Sequence, residues 1–214
     1  MASDKIVIRG ARIALGIGLI ADGIAGVVGV ILGLVSGFYS GKIDSLIMRL
    51  MDIMLAFPYL LLALIVVAVL GPSLRNAMIA IGVVYIPQFA RLVRGTVLSV
   101  REQDYVDAAR VMGASAPRLM LRHVLPNAVV PIIVMATLTV GYAILEASGL
   151  SFLGLGAQPP TAEWGAMLSG GRNYMLSDIW LATIPGLAIL VTVLGFNLLG
   201  DGLRDALDPR LRGR

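Results

Sequence analysis

Cysteine is absent from this 214-residue chain, which excludes disulfides and thiolate metal sites while saying nothing firm about compartment. Charge is scarce as well. Only 14% of the residues are Asp, Glu, Lys or Arg, and a mean hydropathy of +0.90 is far too apolar for a soluble domain of this length. The single histidine, His123, has no second metal-ligand candidate at helical spacing, so it reads as a surface residue. No metal site is expected, and no Ser/His/Asp arrangement can be assembled. A phosphate-binding loop is also missing, because Gly41-Lys42 has Ser36 and Ile43 where that loop needs a glycine and a Ser or Thr. The chain is therefore expected to hold no cofactor and to catalyse nothing by itself.

What fills the sequence instead is long apolar runs, at about 13–35, 53–70, 74–93, 127–153 and 179–200, each near the ~20 residues a helix needs to cross a bilayer. The third is the least regular, since Gln88, Arg91 and Arg94 follow its clean part at 77–87. These runs are continuous, whereas a membrane β-barrel would show segments of about ten residues alternating apolar and polar. The expected fold is all-α, one polytopic transmembrane bundle of about five spans covering residues 1–214. Topology then explains the net charge of +4 better than a nucleic-acid partner does.

Lys and Arg concentrate in cytoplasmic loops. Residues 88–126 hold Arg91, Arg94, Arg101, Arg110, Arg118 and Arg122, against single arginines at the turns around Arg75 and Arg172. This segment is read as inside, and with it the Lys42/Arg49 turn and the tail carrying Arg204, Arg210, Arg212 and Arg214. Trp164, Tyr174 and Trp180 then fall near the outer interface, where amphipathic rings anchor well. The start disagrees: five spans with the tail inside put the N-terminus outside, yet it carries Lys5, Arg9 and Arg12. A signal peptide also begins with basic residues before an apolar run, but 13–35 exceeds its usual run of about 7–15 residues.

Within the spans, Gly29, Gly33, Gly37 and Gly41 recur every four residues, placing them on one helix face where another backbone can approach. A merely glycine-rich helix with a flexible end is the plainer reading. Asp22 and Glu146 are intramembrane carboxylates, candidates for a translocation pathway or for structural hydrogen bonding. Pro87 should kink the third span and could serve as a hinge. Arg49 and Asp52, three apart, are expected to pair on one helix surface.

The basic segment "YVDAARVMGASAPRLMLRHVLPN", 105–127, interrupts all this. Ser99 and Glu102 have the spacing of a capping box, so a helix is expected from near Val100 to a C-cap at Gly113, with a second short helix from Ser115 and Pro117. Adjacent Ala108 and Ala109 strip bulk from one face, where another surface could press. Two partners fit this helix physically: a docking protein, or an anionic lipid surface that the arginines would equally favour.

The spacing of Asp107-Ala108-Ala109, three residues, Gly113, and then Leu125-Pro126 resembles the EAA loop of ABC-importer permeases, with Asp107 replacing glutamate and His123 standing at the usual isoleucine. "MRLMDIMLAFPYLLLALIVVAVLGPS", "ARLVRG", "LSFLGLGAQPPTAEWGAML" and "GFNLLGDGLRDALDPRL" are similar, in the same order, to the dipeptide/oligopeptide/nickel-type permeases, in particular the C-type second subunit. The resemblance covers nearly everything from about Gly10 onward.

That family implies a type I importer permease in a bacterial inner membrane, paired with a second permease, driven by two cytoplasmic ATPases and served by an external binding protein. ATPase coupling would fall on the loop at about 99–126, through Tyr105, Asp107, Ala108, Ala109, Gly113, Ala114, Leu125 and Pro126. It also implies a preceding span and outer loop that this sequence lacks, so a shortened member is expected, in which "DKIVIRGAR" ends an outer loop. The implied cargo is dipeptides or short oligopeptides, with glutathione-like tripeptides or nickel chelates as alternatives. A secondary transporter using Asp22 or Glu146, or a fragment that only occupies a partner's surface, remain the other classes.

Overall fold

The computed structural model describes residues 2–158 and 160–207, with side chains from residue 8 onward. Arg210, Arg212 and Arg214 lie outside the described residues. Among the described residues there is helix and turn but no strand. The long helices are α1 (Ala2–Tyr39), α4 (Leu74–Val100), α7 (Leu125–Phe152) and α9 (Trp180–Leu207), each long and apolar enough to cross a membrane. Between them lie α2 (Gly41–Leu55), α3 (Tyr59–Leu70), α5 (Asp104–Val111), α6 (Ala116–Leu119) and α8 (Trp164–Gly171).

The second expected span is broken rather than continuous. α2 and α3 meet at 96° across the break at Ala56–Pro58. Pro58 offers no N–H to a helix and disfavours the α conformation at Phe57, so the ladder stops there. With 12 residues, α3 alone rises only about 18 Å, short of a hydrocarbon core of roughly 30 Å. The third span departs in the other direction. α4 continues past Gln88, Arg91 and Arg94 to Val100, and it passes through Pro87, itself buried, with no break in the helix. Its arginines are tolerated because acids on α2 meet them: Arg91 lies 2.5 Å from Asp52, and Arg94 lies 2.6 Å from Asp44. Asp52 thus pairs across helices, not with Arg49 along its own.

α4 is the central helix, with Phe89, Ile81, Val84, Val93 and Val97 fully buried. Lipid is as apolar as leucine, so close backbone approach, not hydrophobicity, must select its neighbour. α1 supplies that approach. A Cβ placed on Gly29, Gly33 or Gly37 would lie 2.5 Å from Phe89 Cβ, 2.6 Å from the Ala90 carbonyl oxygen and 2.7 Å from Val97 Cβ respectively. Gly41 does not belong to this stripe. It has a positive φ of 64° with open space around it, and it begins α2 after Ser40 at φ 52°. The four-residue repeat therefore runs one step beyond the helix that uses it.

The bundle has two unlike ends. Phe38 of α1, Val100 of α4 and Leu125 of α7 share one cluster of apolar contacts at the end that carries the arginine-rich segment. At the other end, α8 packs against α7 and α9, and Trp164 sits against α1 at Gly10. Positive charge concentrates at the first end, the one expected from the sequence to be the inner end and called so below.

Candidate functional site

The inner end is built around α5. The capping box does not form: Ser99 lies inside α4, which ends at Val100, and a turn over Arg101–Gln103 precedes α5. α5 is then closed at its C-terminus by a pair of backbone hydrogen bonds. Gly113, with φ 84°, donates to the Arg110 carbonyl at 3.0 Å, and Ala114 donates to the Ala109 carbonyl at 3.1 Å. This is a Schellman motif, which requires a left-handed residue after the cap and brings the residue beyond it onto the last turn. Ala114 does pack with Ala109, together with Val106, Leu119, Phe38 and Val100. The four-residue step from Ala109 to Gly113 is the step from the third-last helical residue to the left-handed one.

The two alanines consequently part company. Ala109 turns inward and is 4% exposed, beside fully buried Val106. Ala108 faces outward with Asp107, whose carboxylate pairs with Arg110 at 2.8 Å. The largest outward apolar surface belongs to residues that the spacing argument did not single out: Val111 is 87% exposed and Met112 81%. A signal existed for Val111, which falls on the face opposite Val106 and Ala109 at helical spacing, but not for Met112, which is three residues after Ala109 and sits at the C-cap of α5. Below Met112, a groove is lined by Ala109, Ala114, Arg118, Arg122 and His123. His123 is thus half-buried at the groove, not a free surface residue.

Tyr105 fastens α5 from its other side. Its hydroxyl accepts from the Asn127 side chain at 3.2 Å, and the same amide donates to the His123 carbonyl at 2.7 Å. Between α6 and α7 the helix widens into a π turn over Met120–Val124, where the Leu125 N–H donates back five residues to the Met120 carbonyl. Pro126 follows at the first turn of α7, where its missing N–H cannot continue a four-residue ladder. Leu125 and Pro126 thus sit at the step from loop to span.

A second cluster, missed in the sequence, ties α1, α2 and α4 together beside α5. Asp44 accepts two bonds from Arg94, both 2.6 Å, and one from the Ser36 hydroxyl at 2.5 Å. Arg101 donates to the Gly37 carbonyl at 3.0 Å and also to the Ser40 hydroxyl. Paired, bidentate geometry of this kind fixes direction as well as distance. The signal was obscured because its members are up to 65 residues apart in sequence.

The intramembrane carboxylates lie elsewhere. Asp22 on α1 accepts from the Thr139 hydroxyl of α7. Glu146 on α7 accepts from the Tyr85 hydroxyl of α4 at 3.1 Å. Pro87 is buried in α4 two residues after Tyr85, and its nitrogen has no hydrogen to donate.

Residues 29–213 match the family of binding-protein-dependent transport system inner membrane components. The chain is 52% identical over 206 residues to the dipeptide transport system permease protein DppC of Alkalihalophilus pseudofirmus, covering 96% of this chain and 68% of that protein. It is also 52% identical over 207 residues to the glutathione transport system permease protein GsiD of Escherichia coli, covering 97% and 68%. In fold it is similar to a subunit of the MetNI methionine ABC transporter in an inward-facing conformation, at TM-score 0.77 and 18% identity over 95% of this chain and 96% of that one. An amino acid ABC transporter crystallised with histidines gives TM-score 0.72 at 17% identity, over 96% of each chain. By its matched length, its relatives and its helical architecture, the chain is a multi-pass membrane protein that belongs to the binding-protein-dependent transport system inner membrane components.

Proposed function

We propose that this chain is one permease subunit of an ATP-driven importer for dipeptides or short oligopeptides in a bacterial inner membrane. Its partners are a second permease, two cytoplasmic ATPases and an extracytoplasmic binding protein. The observation that carries the coupling role is α5: anchored by Val106 and Ala109, it still projects Val111 and Met112 almost wholly into solvent. Exposed apolar side chains on a rigid, polar-rimmed helix suit a protein groove. The lipid-surface alternative is less well supported, because the outward face of α5 carries Asp104 and Asp107, which an anionic membrane repels.

ATP binding would draw the ATPases together and pull on α5. The equilibrium between inward- and outward-facing forms can shift only through contacts that differ between the two states. The anchored underside of α5 passes such a pull to the ends of α1 and α4. The test is uptake of a labelled dipeptide by the complete transporter reconstituted with its binding protein. ATP-dependent uptake that survives collapse of the proton gradient is expected; uptake that follows the gradient would instead make Asp22 or Glu146 an ion-coupling group. Glutathione is the second substrate reading, on the strength of 52% identity to a glutathione permease, and it competes in the same assay.

A further inference from the structure

Glu146 is, among the described residues, the one carboxylate of the membrane region with a buried oxygen left unpaired, an amide oxygen, Asn197 Oδ1 on α9, being the other such atom. Its Oε1 accepts from Tyr85, but its Oε2 is buried and has no hydrogen-bond partner among the described residues. An ionised carboxylate left half-satisfied in an apolar span is costly, and such groups face a bundle interior or a water-filled passage where a partner arrives. Asp22 differs, because its bond to Thr139 leaves no buried oxygen unpaired among the described residues.

Aromatic rings gather around Tyr85, the hydrogen-bond donor to this group. Tyr59, the first residue of α3 after the Pro58 break, stacks on Tyr85 with ring centroids 5.7 Å apart and planes 15° from parallel. Tyr142 lies one turn before Glu146 on α7 and is 47% exposed; Tyr59 is 37% exposed. A partly exposed carboxylate beside exposed tyrosine faces can receive an organic cation: the charge pairs with the carboxylate, and the rings attract it through their quadrupoles.

Resting on the functional reading above, we propose that Glu146, with Tyr59 and Tyr142, receives the α-ammonium group of a peptide as it passes the permease. Tyr85 is a positioning residue that fixes the carboxylate through Oε1.

The experiment is uptake of radiolabelled alanyl-alanine by the complete transporter in proteoliposomes, read together with ATPase activity stimulated by the loaded binding protein. Glu146→Gln keeps the size and an acceptor for Tyr85 but loses the charge. Uptake is expected to fall about tenfold or more, with stimulated ATPase retained. Tyr142→Leu, at an exposed position that leaves folding intact, is expected to lower uptake several-fold, and Tyr142→Phe to restore it, because phenylalanine keeps the π face. Glu146→Asp should recover part of the rate. Uptake within about twofold of wild type in both Glu146→Gln and Tyr142→Leu would overturn the assignment. So would equal losses in Glu146→Gln and Tyr85→Phe with Tyr142→Leu unaffected, the pattern of a purely structural bond. Failure of the wild-type transporter to carry the dipeptide would overturn the functional reading and this site with it, a result distinct from an active wild type and a silent Glu146→Gln.

Discussion

Gly113 shows how much one backbone angle can decide. At φ 84° a side chain is strained, and Gly113→Ala is expected to cost about 1–2 kcal/mol locally. That is too little to prevent insertion, but it reopens the Ala114–Ala109 bond that seats the end of α5. Transport by the reconstituted complex should fall while ATPase activity persists; full coupling in this variant would show that the Schellman closure is dispensable. Val111 and Met112 give the complementary case. Because they are exposed, Val111→Asp and Met112→Asp should leave the thermal stability of the isolated subunit within about 0.5 kcal/mol, yet weaken its co-purification with the ATPases. The spacing Asp107 to Gly113 was legible in the sequence because a helix end with a left-handed residue has fixed arithmetic. The outward direction of Ala108 and inward direction of Ala109 were not, since they depend on which face meets Phe38 and Val100.

At the scale of elements, the α1–α4 contact is set by glycine and the α2–α4 contact by charge. Gly33→Leu has no space to enter, because even a Cβ would lie 2.6 Å from the Ala90 carbonyl oxygen. The helices must separate, at a cost of about 1–3 kcal/mol or more, measurable as a lower midpoint in a detergent unfolding series. Gly41→Ala meets nothing in space, so apart from the local strain of its own positive φ it should leave the α1–α4 packing intact. For the second contact, Arg94→Gln leaves Asp44 with only Ser36 and is expected to destabilise the inner end by about 1–3 kcal/mol, with Ser36→Ala milder. A normal midpoint in Arg94→Gln would mean that the cluster is ornamental. The apolar runs disclosed α1, α7 and α9 because length and hydropathy determine a span. They mislaid α2–α3, where Pro58 outweighs hydropathy, and α4, where arginines that look like a helix end are neutralised by acids 39 and 50 residues away. The Glu146–Tyr85 bond joins residues 61 apart, and no local pattern announces such a pairing.

For the whole molecule, the lack of native cysteine turns topology into a direct experiment. Leu176→Cys lies in the fully exposed turn after α8, and Met112→Cys lies at the opposite end. A membrane-impermeant maleimide should label the first in intact cells and the second only after permeabilisation; the reverse would invert the orientation drawn from the arginines. Orientation also gives α1 a role that its composition conceals. From Gly10, held against Trp164 of α8, to Phe38, lodged beneath α5, it runs as one uninterrupted helix, about 42 Å long at 1.5 Å per residue. Its glycines lie flush on α4, so neither rod can bend away from the other along that stretch. A nudge at the inner end is therefore felt at the outer end as a rigid tilt, with the far side of the membrane moving at the other arm of a lever.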